Sequence, residues 1–306
     1  MNSPDARPKL SVIVVCHEMA AQIENTLRSF LPSYQRGIAL DDYEIILMDN
    51  GSAEMLAEGV QKLSPNLRYE YVSPQEAKPS PAGALNRGAA AARAPWLCLM
   101  IDGARMITPG VFSWAMRLLE LSPNSIVEVR GWHLGPKFQP ESVAEGYNHE
   151  IETALLEKVR WWENGYRLFE IAAASAQTRH GLTQPASESN CLFLSRELFD
   201  RMGGFDERYA EAGGGLVNLD FYARAVAAAD HAWTLLGEGN FHQVHGGAAT
   251  SLSPDKLGRA GVRWRAESNR LRGPLPSIEA KRFIVAGHMP PEFQSWLQRW
   301  HGSPTS

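Results

Sequence analysis

The 306-residue chain is 44% hydrophobic and 21% charged, and its 30 basic and 34 acidic side chains leave a formal net charge of -4. That composition supports a sizeable core and excludes general disorder. The near balance of charge excludes a protein whose overall field gathers nucleic acid or an anionic membrane, while leaving local basic patches open. Leu10 to Val15 reads as a buried strand, Ile23, Leu27, Phe30 and Leu31 recur at helical spacing, and Tyr43 to Met48 forms the next apolar run. A second helix pattern carries Leu56, Val60 and Leu63, followed by a strand from Leu67 to Val72 and an alanine-rich helix from about Ala82 to Ala92. Trp96 to Ile101 is a fourth strand whose apolar run stops at Asp102-Gly103-Ala104-Arg105, and Thr108-Pro109 reads as the cap and first turn of a helix bearing Trp114 and Leu118. This alternation predicts an α/β domain with a mostly parallel sheet flanked by helices, with polar residues at the strand ends where open α/β sheets bind ligands.

The second half is less regular. Ser125 to Val129 predicts a strand, Val143 to Trp162 one long amphipathic helix, and Cys191 to Leu194 a short strand. Gly203-Gly204 and Gly213-Gly214-Gly215 are turn chemistry, and a helix follows from near Asn218 or Leu219. Beyond Gly247 the periodicity fades, so the expected organisation is one domain over 9–250 and a C-terminal extension over 251–306 with one or two helices. Cys16, Cys98 and Cys191 lie in or beside apolar runs and match neither a disulfide framework nor a zinc site. With no apolar core in the first residues and no run of about 20 apolar residues elsewhere, a cytoplasmic protein is expected, with peripheral membrane contact left open.

Four features stand in order over roughly residues 9–250. The first strand leads into Cys16-His17-Glu18. Met48-Asp49-Asn50-Gly51-Ser52 closes the second. Asn86-Arg87-Gly88 precedes the strand that ends at Asp102, and Gly203-Gly204-Phe205-Asp206-Glu207 comes before Asp220-Phe221. In this order they resemble the family 2 glycosyltransferases, enzymes of the GT-A fold with a Rossmann-like sheet. The resemblance implies transfer of a sugar from a nucleotide-sugar donor, UDP-linked, to the hydroxyl of a glycan or other acceptor, with inversion. It assigns Asp49 to the donor's base and places His17, Glu18, Asn86 and Arg87 along the nucleotide crevice. Read as residues alone, Asp49 also fits an Asx turn, Glu18 a solvated loop and Arg87 an exposed helical arginine.

Two departures from the family pattern fall on the chemistry. The family's Asp-x-Asp is half present: Asp102 stands in place, but the second position is Ala104, followed by Arg105. The resemblance implies Mn²⁺ or Mg²⁺ held by Asp102 and by a late histidine, His245 of the segment Phe241-His242-Gln243-Val244-His245, with Arg105 available to neutralise part of the diphosphate charge. The general base is the second departure, because Asn218 occupies its position, and Asp220 and Glu211 become the nearest candidate carboxylates. Asp220 equally suits a helix cap. A tail cluster of Arg263, Arg265, Arg270 and Arg272 reads as a solvated helical face or a cover over phosphates. A binding protein that kept the fold and lost the chemistry is the competing reading. A dinucleotide-binding or nucleotidyltransferase fold is disfavoured, because no glycine-rich turn follows the first strand.

Overall fold

Strand alternation sorts the apolar residues of the first half onto two faces. In β1 (Leu10–Cys16), Ile13 and Val15 join one buried cluster, while Leu10, Val12, Val14 and Cys16 join another. A computed structural model describes residues 7–178, 181–183, 186, 188, 190–247, 254–276, 278 and 283–302. In chain order, β1 is followed by α1 (Ala20–Arg28), β2 (Tyr43–Asn50), α2 (Glu58–Gln61), β3 (Leu67–Val72), α3 (Ala82–Ala91), β4 (Trp96–Met100), β5 (Arg105–Ile107) and α4 (Val111–Leu121). Then come β6 (Ile126–Leu134), α5 (Gln139–Ala144), α6 (His149–Val159), β7 (Ala172–Ala174), β8 (Leu192–Ser195), α7 (Arg196–Arg201), α8 (Val217–Ala228), β9 (Ala232–His242), α9 (Pro254–Arg272), β10 (Phe283–Gly287) and α10 (Pro291–Gly302). No helix among the described residues is long and apolar enough to cross a membrane.

The sheet runs β10-β9-β6-β8-β4-β1-β2-β3, with β5 paired to β9 and β7 to β6. It is parallel from β3 to β4, as the first-half pattern predicts, but β8 is antiparallel to both β4 and β6, so the sheet as a whole is mixed. Helices α3 and α8 pack on one face, and α1 and α4 on the other. Gly88 permits the close approach of α3: a Cβ there would lie 2.5 Å from Ile13 Cγ2 and 3.1 Å from Met48 Cγ.

Several elements depart from the sequence reading. The expected helix from Val143 to Trp162 is two helices, because Gly146 turns with φ 97° and Asn148 caps a new start, its side chain accepting from the Ile151 amide at 3.0 Å. Thr108 does not cap α4 with its side chain; its hydroxyl donates to buried Glu238 at 2.5 Å. Strands β5, β7, β9 and β10 have no counterpart in the sequence reading. The last of them extends the sheet, Phe283 to Gly287 pairing in parallel with Ala232 to Leu236, and Phe293 and Trp296 of α10 are buried against Trp132.

Candidate active site

The apolar run of β4 delivers Asp102 just beyond the strand. The chain then crosses the end of β1 at Gly103, where a Cβ would stand 2.8 Å from Cys16 Cβ and 3.1 Å from the Val15 carbonyl. That crossing sends Arg105 into β5, which pairs antiparallel with the end of β9 so that Arg105 sits opposite His242. Three side chains meet as a result. Asp102 Oδ2 lies 2.8 Å from His242 Nε2 and 3.7 Å from His245 Nε2, and the two imidazole nitrogens are 3.0 Å apart.

Burial lowers the His242 pKa to about 4, with the Asp102 charge opposing and Arg105 adding to the fall, so the ring is neutral at pH 7. Its Nδ1 contacts the Gln139 Oε1 acceptor, which fixes the proton on Nδ1 and turns the Nε2 lone pair toward Asp102 and His245. One carboxylate oxygen and two imidazole nitrogens thus converge within 4.8 Å, a donor set that suits a divalent cation. Arg105 is fixed beside it. Its Nη1 donates to Asn240 Oδ1 at 2.9 Å, Asn240 is anchored on the Val129 carbonyl at 2.7 Å, and Arg105 Nε lies 3.5 Å from Asp102 Oδ2.

Of the residues expected along the nucleotide crevice, Asp49 stands near the end of β2, His17 and Glu18 follow β1, and Asn86 and Arg87 are on α3. Asp49 is fully buried, its Oδ2 accepting from the Tyr69 hydroxyl at 2.8 Å and its Oδ1 from the Ser52 amide at 3.2 Å, which is the Asx-type bond of a turn. His17 Nδ1 donates to the Asn50 carbonyl at 3.0 Å. Glu18, in the left-handed region at φ 53°, accepts from the Ala53 amide at 2.6 Å while its own amide donates to Ser52 Oγ at 2.9 Å. These bonds tie the loop after β1 to the loop after β2. Asn86 clamps the glycine-rich turn, donating to the Phe205 carbonyl and accepting from the Phe205 amide, each at 2.9 Å, and Arg87 is exposed on α3.

The two carboxylates proposed for proton transfer are held by arginines. Asp220 is buried in α8, whose cap position is Leu216, so it is not the cap. Its Oδ2 accepts from Arg224 at 2.9 Å, and Arg272 lies 3.8 Å from Oδ1. Arg224 in turn donates to the carbonyls of Met202 and Gly204. Glu211 lies 3.6 Å from Arg263 of the tail helix. The carboxylate that Asn218 touches is neither of these. Its amide donates to Glu188 Oε2 at 3.0 Å and to Asn190 Oδ1 at 2.9 Å. No spacing signal in the sequence links Glu188 to α8. His242, three residues before the expected ligand His245, joins it at Asp102.

Residues 11–102 match the family model described as glycosyl transferase family 2. Over that segment the chain is similar to the family 2 glycosyltransferases. It is 25% identical over 225 residues to validoxylamine A glucosyltransferase of Streptomyces hygroscopicus subsp. jinggangensis strain 5008, covering 71% of this chain and 52% of that one. It is 24% identical to the protein of the same name from subsp. limoneus, covering 71% and 48%. The chain therefore spans about half the length of these curated relatives. In fold, it is similar to residues 1–349 of S. aureus TarS in complex with UDP, at a TM-score of 0.50 and 14% identity over 97% of this chain and 72% of that one. The complex of the same protein with UDP-GlcNAc gives 0.51 and 14% over 95% and 72%. This likeness is one of fold, the GT-A type. The glycosyltransferase family match ends at Asp102, so His242, His245 and Glu188 lie outside the matched segment.

Proposed function

We propose that the chain transfers a sugar from a UDP-sugar to an acceptor hydroxyl by direct displacement with inversion, aided by Mn²⁺ or Mg²⁺ at Asp102, His242 and His245. The observation that carries this reading is the convergence of those three side chains, with buried Arg105 beside them, at the end of β4. Relatives named as glucosyltransferases support sugar transfer, and the UDP and UDP-GlcNAc in the TarS complexes support the donor class. The residues fit a cation by chemistry: a hard carboxylate oxygen with two neutral imidazoles, a set that favours Mn²⁺ over Mg²⁺. When bound, such an ion offsets the negative charge that grows on the departing diphosphate. Arg105 adds a fixed positive charge in a buried setting where it needs no reorganisation. Asp49 receives the base, with His17 and Glu18 holding the loop around it, Asn86 shaping the facing turn and Arg87 reaching toward phosphate. The buried thiols of Cys16, Cys98 and Cys191 support a reducing, cytoplasmic setting.

Asn218 favours a second reading, in which donor is bound and not turned over. One experiment separates the two. Binding of UDP with and without Mn²⁺, followed by thermal shift, reads the site, and UDP release from UDP-glucose and UDP-GlcNAc reads the chemistry. Cation-dependent binding with UDP release is the expected result. Binding without release leaves the non-catalytic reading standing, and neither binding nor release sinks both.

A further inference from the structure

We propose that Glu188 is the general base, a carboxylate from the segment before β8 standing where the family pattern puts one on α8; this rests on the sugar-transfer reading above. The Asn218 amide donates to Glu188 Oε2 at 3.0 Å, so the carboxylate lies against the side chain that occupies the expected base position. Asn190 and Asn218 both hydrogen-bond the carboxylate, which sets its orientation and leaves it lone pairs for a substrate proton. The segment leads into β8, the direct neighbour of β4, and the Arg105 beside Asp102 lies near enough for its charge to act on Glu188. Glu188 therefore lies within electrostatic reach of the arginine that flanks the candidate cation ligands.

The asparagine is the complement of this arrangement. Two carboxylates about 3 Å apart in a half-buried site cannot both ionise, so an aspartate at 218 would force one of the pair to hold a proton. An amide at that place donates instead and keeps Glu188 oriented. Asp220 and Glu211 are weaker candidates, the first paired with Arg224 beneath Arg272 and the second near Arg263. Burial raises the Glu188 pKa while Arg105 and the two amides oppose, which brings its proton affinity closer to that suited to a base at neutral pH. In the step itself, the acceptor hydroxyl gives its proton to Glu188 as its oxygen bonds the anomeric carbon. The bond from that carbon to the diphosphate oxygen breaks, and the electron pair leaves on UDP.

The test uses the full chain with UDP-glucose and UDP-GlcNAc as donors, Mn²⁺ present and water as acceptor. E188Q is expected to release UDP about 10²- to 10⁴-fold more slowly than wild type while binding UDP within about twofold of it. Moving the carboxylate back to the helix in E188Q/N218D is expected to recover at least about tenfold of the loss. Equal UDP release by E188Q and wild type overturns the assignment. So does a parallel loss of UDP affinity, which would make Glu188 a donor-site residue, and so does a double variant no faster than E188Q. Wild-type protein that releases no UDP from either donor overturns the sugar-transfer reading and this proposal with it.

Discussion

At the scale of single residues, the site is built from groups whose hydrogen bonds are already committed. Asp49 holds Tyr69 and Ser52 within the fold itself, so this role and its proposed role toward the base separate by mutation. Tyr69→Phe is expected to cost about 0.5–1.5 kcal/mol of stability in denaturant titration and to leave UDP affinity unchanged. Asp49→Ala is expected to add a loss of UDP affinity of roughly 1.5–3 kcal/mol by calorimetry, and retained affinity in a folded variant would remove Asp49 from the donor site. At the proposed cation site, Asp102→Asn is expected to abolish the gain in UDP affinity on adding Mn²⁺. Undiminished UDP release by wild type in excess EDTA would leave Arg105 to carry the charge alone. Glu152 makes a pH prediction. Burial raises its pKa from 4.5 to about 8, against hydrogen bonds from the Val244 amide and Tyr147, so the folded state binds this proton more tightly than the unfolded chain. Its contribution to stability is therefore fully present below about pH 4.5 and is lost as pH rises through about 8. Glu152→Gln should flatten that part of the melting-temperature profile. Asp102 was legible because an apolar run ends on it. Glu188 was not, because only the folded chain brings it to Asn218, 30 positions away.

At the scale of elements, the first four strands and their helices were legible because apolar periodicity and tertiary burial agree there. Strand β9 was hidden because Gly237, Glu238, Gly239 and Asn240 break the pattern. Glu238 is nevertheless fully buried, accepting from Thr108 and Tyr166 and meeting His288 at 2.6 Å, so tertiary partners override local propensity. The same strand carries Asn240 and His242, and so half of the site went unseen as structure although its histidines were noted as chemistry. The helix α3 was read from its alanines, and its one constrained position is Gly88. Gly88→Ala should cost about 1–3 kcal/mol by chemical denaturation, because the new methyl group meets Ile13 and Met48 on strands that cannot withdraw. A variant as stable as wild type would show that α3 can lift off the sheet.

At the scale of the whole molecule, the last described residues belong to the same packed body as the sheet. Trp296 is buried, edge-on to Trp132, and its indole N–H donates to the Ala172 carbonyl at 3.0 Å. Trp296→Ala is expected to destabilise by about 3–5 kcal/mol, read as a lowered melting temperature, whereas an appendage would lose nothing. The polar composition after Gly247 concealed this, since a few aromatic anchors are enough to dock a helix whose other faces meet water. The pairing of β10 along Ala232 to Leu236 has a further consequence, for colloidal behaviour. A chain truncated before Phe283 would bare the main-chain donors and acceptors of Ala-Trp-Thr-Leu-Leu, an uncharged, β-prone run with no proline to blunt it. Such a chain would meet its own copies edge to edge, and light scattering would record particles growing with concentration at temperatures where the intact chain stays monodisperse.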